Sequence, residues 1–148
     1  MKIKKFIILL TFLKRNYLVY LHACNKKPEM KKTLVLGASS NPMRFSHKMI
    51  KTLLRHDYEV VALGLREGEI AGVKILTGKP KIEKVHTISM YIGPKRQPEY
   101  YDYLLSLKPQ RIIFNPGTIN KEFMKIAERK GIDIVTDCAL IMVSSGHY

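Results

Sequence analysis

The chain predicts a doubly wound α/β domain built on a mostly parallel sheet of about five strands. Short apolar runs alternate with amphipathic helical patterns from Thr33 onward, the order that produces βαβ units. No internal repeat or low-complexity tract interrupts that alternation. With 148 residues and 46% hydrophobic composition, the chain is long enough for one well-buried core and too short to expect two.

Each element follows from its pattern. Thr33–Leu36 is strand-like, and Ser46–His56 is helical, with Met49, Ile50, Leu53 and Leu54 on one stripe. Glu59–Leu63 (EVVAL) forms a second strand. Ile70–Leu76 (IAGVKIL) holds short apolar pieces broken by Gly72, and Val85–Ile92 (VHTISMYI) is a third main strand. Glu99–Leu107 (EYYDYLLSL) is a helix ended by Lys108-Pro109; Tyr100, Tyr101 and Tyr103 fall on more than one of its faces and divide between packing and surface. Arg111–Phe114 (RIIF) is a fourth strand. Asn120 suits the N-cap of a helix over Lys121–Lys130, Glu122 suits its first turn, and Gly131 stops it. Ile132–Thr136 is a fifth strand, and Cys138–Ser144 a short final helix.

Charge and cysteine usage bound the function. The formal net charge of +14 is unevenly placed: residues 1–29 hold seven Lys/Arg and one Glu, a net of +6, and Met30–Tyr148 holds 19 basic and 11 acidic residues, a net of +8. A basic surface attracts anions, phosphate-rich cofactors included. No K/R-G-F-G-F-V-x-F run marks an RNA-binding sheet, so nucleic acid is a disfavoured partner. Cys24 and Cys138 are the only cysteines and do not make a disulfide scaffold, which points to the cytoplasm for the folded part.

Residues 1–29 are read as an extension outside a domain spanning 30–148. The apolar core Phe6–Leu13 is too short, and too soon interrupted by Lys14-Arg15-Asn16, to cross a bilayer as a helix. Two readings stay open. Met30 heads MKKTLVLGASS, itself a serviceable amino terminus; alternatively Leu21-His22-Ala23-Cys24 is similar to a lipoprotein cleavage box, with Cys24 acylated. A membrane contact is expected only in the second case.

Open parallel sheets bind ligands at the carboxyl ends of their strands, near the point where strand order reverses. That rule selects Gly37–Ser46, Gly64–Glu67, Ile92–Arg96 and Asn115–Asn120. In LVLGASSNPMRFS, Gly37 permits a sharp turn, Ala38 and Ser39 let a ligand approach the backbone, Pro42 stiffens the loop, and Ser40 and Asn41 are further candidate cofactor-binding residues. The following helix start favours an anion, Arg44 can add a charge-assisted bond, and Ser46 is a candidate cap. An ordinary strand-to-helix turn would look the same, because one glycine followed by serines lacks the G-x-G-x-x-G spacing. Where a dinucleotide enzyme places an acidic residue for the ribose diol, this chain has Gly64-Leu65-Arg66. Arg66 suits a phosphorylated ribose, hence NADP or coenzyme A rather than NAD. Asn115, Pro116, Gly117 and Thr118 offer amide and hydroxyl groups that either bind a ligand or shape the turn.

Catalytic constellations are scarce. The five histidines, His22, His47, His56, His86 and His147, are scattered, none with metal-ligand spacing to a second His or Cys. No G-x-S-x-G elbow occurs. Cys138 reads as a buried structural thiol rather than a nucleophile. No catalytic residue and no metal site is therefore assigned.

Taken together, LVLGASSNPMRFS, HDYEVVALG, REGEIAGVKI and FNPGTINKEFMKIAERKGIDIVTDC resemble the small single-domain CoA-binding proteins, bacterial relatives of the nucleotide-binding domain in the alpha subunit of succinyl-CoA ligase. The resemblance runs from Thr33 to about Cys138. It implies a Rossmann-like fold that binds coenzyme A, with the pyrophosphate near Gly37, Ala38, Ser39 and Arg44 and the adenosine near Gly64–Arg66. The family pattern carries a V-N-P type turn after the second strand, where this chain has Leu63-Gly64-Leu65. The ligase's phosphorylated histidine belongs to a domain absent from this sequence, so ligase activity does not carry over. The expected function is binding of coenzyme A or an acyl-CoA as a non-catalytic or regulatory module. The alternative is an enzyme using NADP or an acyl-CoA, with Cys138 or a histidine participating.

Overall fold

A computed structural model describes residues 31–148; the candidate targeting segment, with His22 and Cys24, lies outside the described residues. The elements in chain order are β1 (Thr33–Ala38), α1 (Phe45–Arg55), β2 (Val60–Gly64), β3 (Gly68–Ile70), β4 (Val73–Leu76) and β5 (Thr87–Met90). Two 3₁₀ turns follow (Pro94–Arg96, Pro98–Tyr100), then α2 (Tyr101–Ser106), β6 (Arg111–Phe114), α3 (Lys121–Arg129), β7 (Asp133–Val135) and α4 (Ala139–Ser144).

The strands form one seven-stranded sheet in the order β3-β4-β2-β1-β5-β6-β7. All neighbours are parallel except β3 and β4. The count exceeds the predicted five because IAGVKIL is part of a hairpin. Ala71 (φ 48°) and Gly72 (φ 84°) both take left-handed conformations, which makes the two-residue turn that reverses the chain between β3 and β4. Strand order reverses between β1 and β5, since the chain builds outward from β1 through β2 to β4, then returns to β5 on the other side.

The sheet is apolar on both faces, as a parallel sheet must be when helices cover both. Leu34, Leu36, Ile88, Met90, Ile112 and Phe114 pack with Tyr100 and Leu104, around α2, and with Phe123 and Ala127 of α3. Val35, Ala62 and Ile113 pack with Met49, Ile50 and Leu53 of α1 and with Ala139 and Val143 of α4. The stripe predicted on α1 is thus its buried face, with Leu54 only half-buried at its margin.

Capping decided where the helices begin. Asn120 caps α3 as predicted, its Oδ1 accepting from the amides of Glu122 and Phe123. Its Nδ2 donates to the Tyr101 hydroxyl at 2.7 Å, and the Tyr101 ring stacks on Phe123 at 4.3 Å between centroids. The helix expected over Glu99–Leu107 starts later, at Tyr101, because Pro94 and Pro98 each open a 3₁₀ turn ahead of it.

At the amino ends of the strands, Tyr148 is driven into the sheet. Its hydroxyl shares a 2.9 Å hydrogen bond with Thr33 Oγ1, its ring meets Tyr58 edge-on, and the Arg111 guanidinium lies 4.6 Å from its centroid. Burial pushes the Tyr148 hydroxyl up to about 12, against the Thr33 hydrogen bond and the Arg111 charge, which favour ionisation. An unfolded tyrosine titrates near ~10. The stabilisation is therefore complete below that value and is lost as pH rises from about 10 to 12, amounting to roughly 2–3 kcal/mol. Denaturation midpoints of Tyr148→Phe and wild type across that range should show a shallower alkaline decline for the variant.

Candidate functional site

The strand-order reversal leaves a cleft at the carboxyl ends of the strands, about 940 Å³ in volume, walled by the loops after β1, β2, β5, β6 and β7. From the first loop Gly37, Ala38, Ser39, Ser40, Asn41, Arg44 and Ser46 line it; from the second, Arg66; from the fourth, Asn115, Pro116, Gly117 and Thr118. Gly64 is the predicted residue that does not.

Gly37 does more than turn the chain. It has φ +98°, and a Cβ there would sit 2.9 Å from the Tyr91 carbonyl carbon. It forms a bulge: Leu36 pairs with Leu63 and Ala38 with Gly64, leaving Gly37 unmatched. Ala38 consequently packs on the same face as Val35, with α1. Gly64 serves this close approach from the other side. A Cβ on it would collide with the Ala38 carbonyl oxygen and reach Ile75, so Gly64 is needed for packing β2 against the bulge.

The first loop is braced from within. Asn41 Oδ1 accepts from Met43 N at 2.9 Å, Ser39 Oγ accepts from Asn41 N at 3.3 Å, and His47 Nδ1 lies 3.3 Å from the Ser39 carbonyl oxygen. The expected cap at Ser46 is not formed. Arg44 holds the N-cap position with an extended backbone and makes no side-chain cap bond, while Ser46 is buried as the second residue of the helix. The first-turn amides of α1 thus lack a side-chain acceptor, the arrangement that favours an anion at a helix start.

The fourth loop turns its polar groups inward. Asn115 Nδ2 donates to Ser89 Oγ at 3.0 Å and to the Met90 carbonyl at 2.9 Å, and its Oδ1 accepts from Ala139 N at 2.9 Å. Thr118 Oγ1 donates to the Asn115 carbonyl at 2.8 Å. Both residues are buried, so they hold the cleft floor together, and of Asn115–Thr118 only Pro116 and Gly117 are exposed.

Three groups escaped the residue-by-residue reading. Tyr91, Ile92, Gly93 and Arg96 form the wall after β5; the strand-end rule selects Ile92–Arg96 with no site residue named in it, and Tyr91 falls within the predicted third strand. Burial pushes the Tyr91 hydroxyl well above the ordinary phenol range, so it remains protonated at neutral pH. Phe45 and Leu65, 63% and 56% exposed, add apolar surface to the lining. Cys138, expected to be buried, is half-buried and lines the cleft with Leu140, its amide donating to Asp137 Oδ1. The same strand-end rule, applied after the fifth predicted strand, would have found it.

Electrostatically the cleft has one sign. Arg44, Arg66 and Arg96, all exposed, line it, and no Asp or Glu among the described residues does. Among the described residues, no group of three His, Cys, Asp or Glu side chains could hold a metal ion. Among the same residues, no helix is long and apolar enough to cross a membrane.

Residues 31–144 match the family model described as CoA binding domain. A crystal structure described as an uncharacterized protein is 43% identical, with TM-score 0.78 over 80% of this chain and 98% of that one. A hypothetical protein from Pyrococcus horikoshii OT3 is 25% identical over 80% of this chain and 84% of its own, TM-score 0.71. A Thermus thermophilus structure, 23% identical with TM-score 0.72 over 81% of this chain and 92% of its own, shares the fold. No curated protein matches.

Proposed function

The chain belongs to the CoA binding domain family, and from that premise we propose that its cleft binds coenzyme A or an acyl-CoA, serving as a binding module rather than as a catalyst. One observation carries the reading: an uncapped helix start and three arginines, with no carboxylate among them, meet where the strand order reverses. The pyrophosphate would lie against the amides of Gly37–Asn41 and the first turn of α1, with Arg44 alongside. Arg66, at the end of β2, would face the phosphorylated ribose. Phe45 and Leu65 would supply apolar contact for the adenine, and the walls after β5 and β6 would flank the pantetheine arm.

Calorimetric titration of the full chain with coenzyme A, dephospho-CoA, NADP and NAD tests this directly. Coenzyme A should bind most tightly, and dephospho-CoA roughly tenfold more weakly, through loss of a charge-assisted contact to Arg66. Arg44→Ala should weaken coenzyme A severalfold. Absence of heat with coenzyme A, or a preference for NADP, would overturn the reading.

Cys138 supports a second reading, an enzyme acting on an acyl-CoA or using NADP, because its thiol lines the same cleft. Under the module reading Cys138→Ser leaves coenzyme A affinity unchanged. Turnover of an acyl-CoA that this substitution abolishes would establish the enzyme instead.

A further inference from the structure

Beneath the cleft, Gln97 has no exposed surface, although it sits between two 3₁₀ turns whose residues, Tyr100 aside, are exposed. Its Nε2 donates to the Ile92 carbonyl at 3.1 Å and to the Thr118 carbonyl at 2.6 Å. The first acceptor belongs to the loop leaving β5, the second to the loop leaving β6, and both residues line the cleft. Thr118 continues the connection through its hydroxyl to the Asn115 carbonyl, and the Asn115 side chain carries it to Ser89, Met90 and Ala139. A buried network therefore joins the loops after β5, β6 and β7 under the cleft floor. Gln97 is its only side-chain bond between the wall carrying Arg96 and the wall carrying Gly117 among the described contacts.

The chemistry of that position is narrow. Two carbonyl oxygens must be satisfied by one buried, uncharged group, and a primary amide supplies two N–H donors in one plane. The Gln97 Oε1 has no partner among the described residues. An unpaired buried acceptor is unfavourable, so the side chain's contribution lies in its two donated bonds.

We infer that Gln97 is a positioning residue: it sets the spacing between the β5 and β6 walls and thereby places Arg96, its neighbour in sequence, at the cleft. Its effect on affinity rests on the coenzyme A reading, but its effect on the loops does not. Gln97→Glu is nearly isosteric and converts the double donor into an acceptor whenever it is ionised. Protonated, it can still donate to one carbonyl. Burial raises such a carboxyl's pKa, which brings its titration into an accessible range.

The test uses the full chain as wild type, Gln97→Glu and Gln97→Leu, titrated with coenzyme A at pH 5.5 and 8.5. Each variant is divided by wild type at the same pH, which removes the ligand's own phosphate titration. Backbone amide exchange is followed without ligand. Gln97→Glu should bind severalfold more weakly than wild type at pH 5.5, where one of the two bonds survives, and at least about tenfold more weakly at pH 8.5. Gln97→Leu should be weaker by the same factor at both. Exchange in Gln97→Glu at pH 8.5 should rise in 92–96 and 115–118 and not across the sheet. A pH-independent ratio near one, or exchange that is unchanged or raised throughout, would overturn the assignment. If wild type takes up no coenzyme A, the ligand reading fails by itself, and the local or uniform character of the exchange still decides the role of Gln97.

Discussion

Gly37→Ala is expected to lower the unfolding free energy by about 2–4 kcal/mol and to weaken coenzyme A by at least about an order of magnitude. Two independent penalties add. The left-handed backbone at φ +98° disfavours any side chain, at roughly 1–2 kcal/mol. The new methyl also meets the carbonyl carbon of Tyr91 at 2.9 Å, and backbone cannot swing aside as a side chain can. Relief requires moving β1 away from the end of β5, which opens the cleft at the point where the ligand's pyrophosphate would sit. Gly117→Ala provides the comparison, because Gly117 has φ +85° with nothing within 4 Å of the added atom. It should cost only about 1 kcal/mol, the backbone penalty alone. Urea denaturation of both variants measures the difference; equal losses would show that the close approach to Tyr91 contributes nothing.

Asn115→Ala should be at least as damaging, at roughly 3–5 kcal/mol. It deletes three hydrogen bonds at once and strands the Met90 carbonyl and the Ala139 amide in a buried setting. Because Ala139 opens α4, and Cys138 precedes it, the substitution should also loosen the thiol's placement at the cleft. Asn115→Asp separates the two directions of bonding. Its carboxyl can still accept from Ala139, but once ionised it faces Ser89 Oγ and the Met90 carbonyl with no proton to donate. Burial raises its folded pKa above the unfolded value of ~3.9, so stability is fullest below that pH and falls as pH rises through the folded value. The melting temperature of Asn115→Asp should therefore approach wild type near pH 4 and fall away from it by pH 7. A gap that does not change with pH would mean that the two donated bonds are not what Asn115 contributes.

Local signals in the sequence were legible where one residue's chemistry acts on its immediate neighbours. Asn120 caps α3 because its side chain reaches amides two and three positions on, and Gly131 ends that helix with φ +75°. Ser46 failed by the same logic, since position within the turn decides capping, and Arg44 occupies the extended cap position instead. The hairpin of β3 and β4 was hidden because its two strands hold three and four residues, too short for a period-two pattern to stand out. The roles of Gly64 and Asn115 were hidden for another reason. Their partners, Ala38, Ile75, Ser89, Met90 and Ala139, are distant in sequence, and only the register of the sheet brings them within contact.

By itself the sequence determined the α/β class, the strand-end loops and the basic character of the cleft, because apolar periodicity and residue charge are properties of short segments. The tertiary structure decided which loop residues face the cleft and which face the protein. It gave Gly64 to packing, tied the polar groups of Asn115 and Thr118 into the cleft floor, and brought Tyr91, Arg96 and Cys138 to the lining. That division is set by where each strand ends against its neighbour, a spacing written in no single segment of the chain.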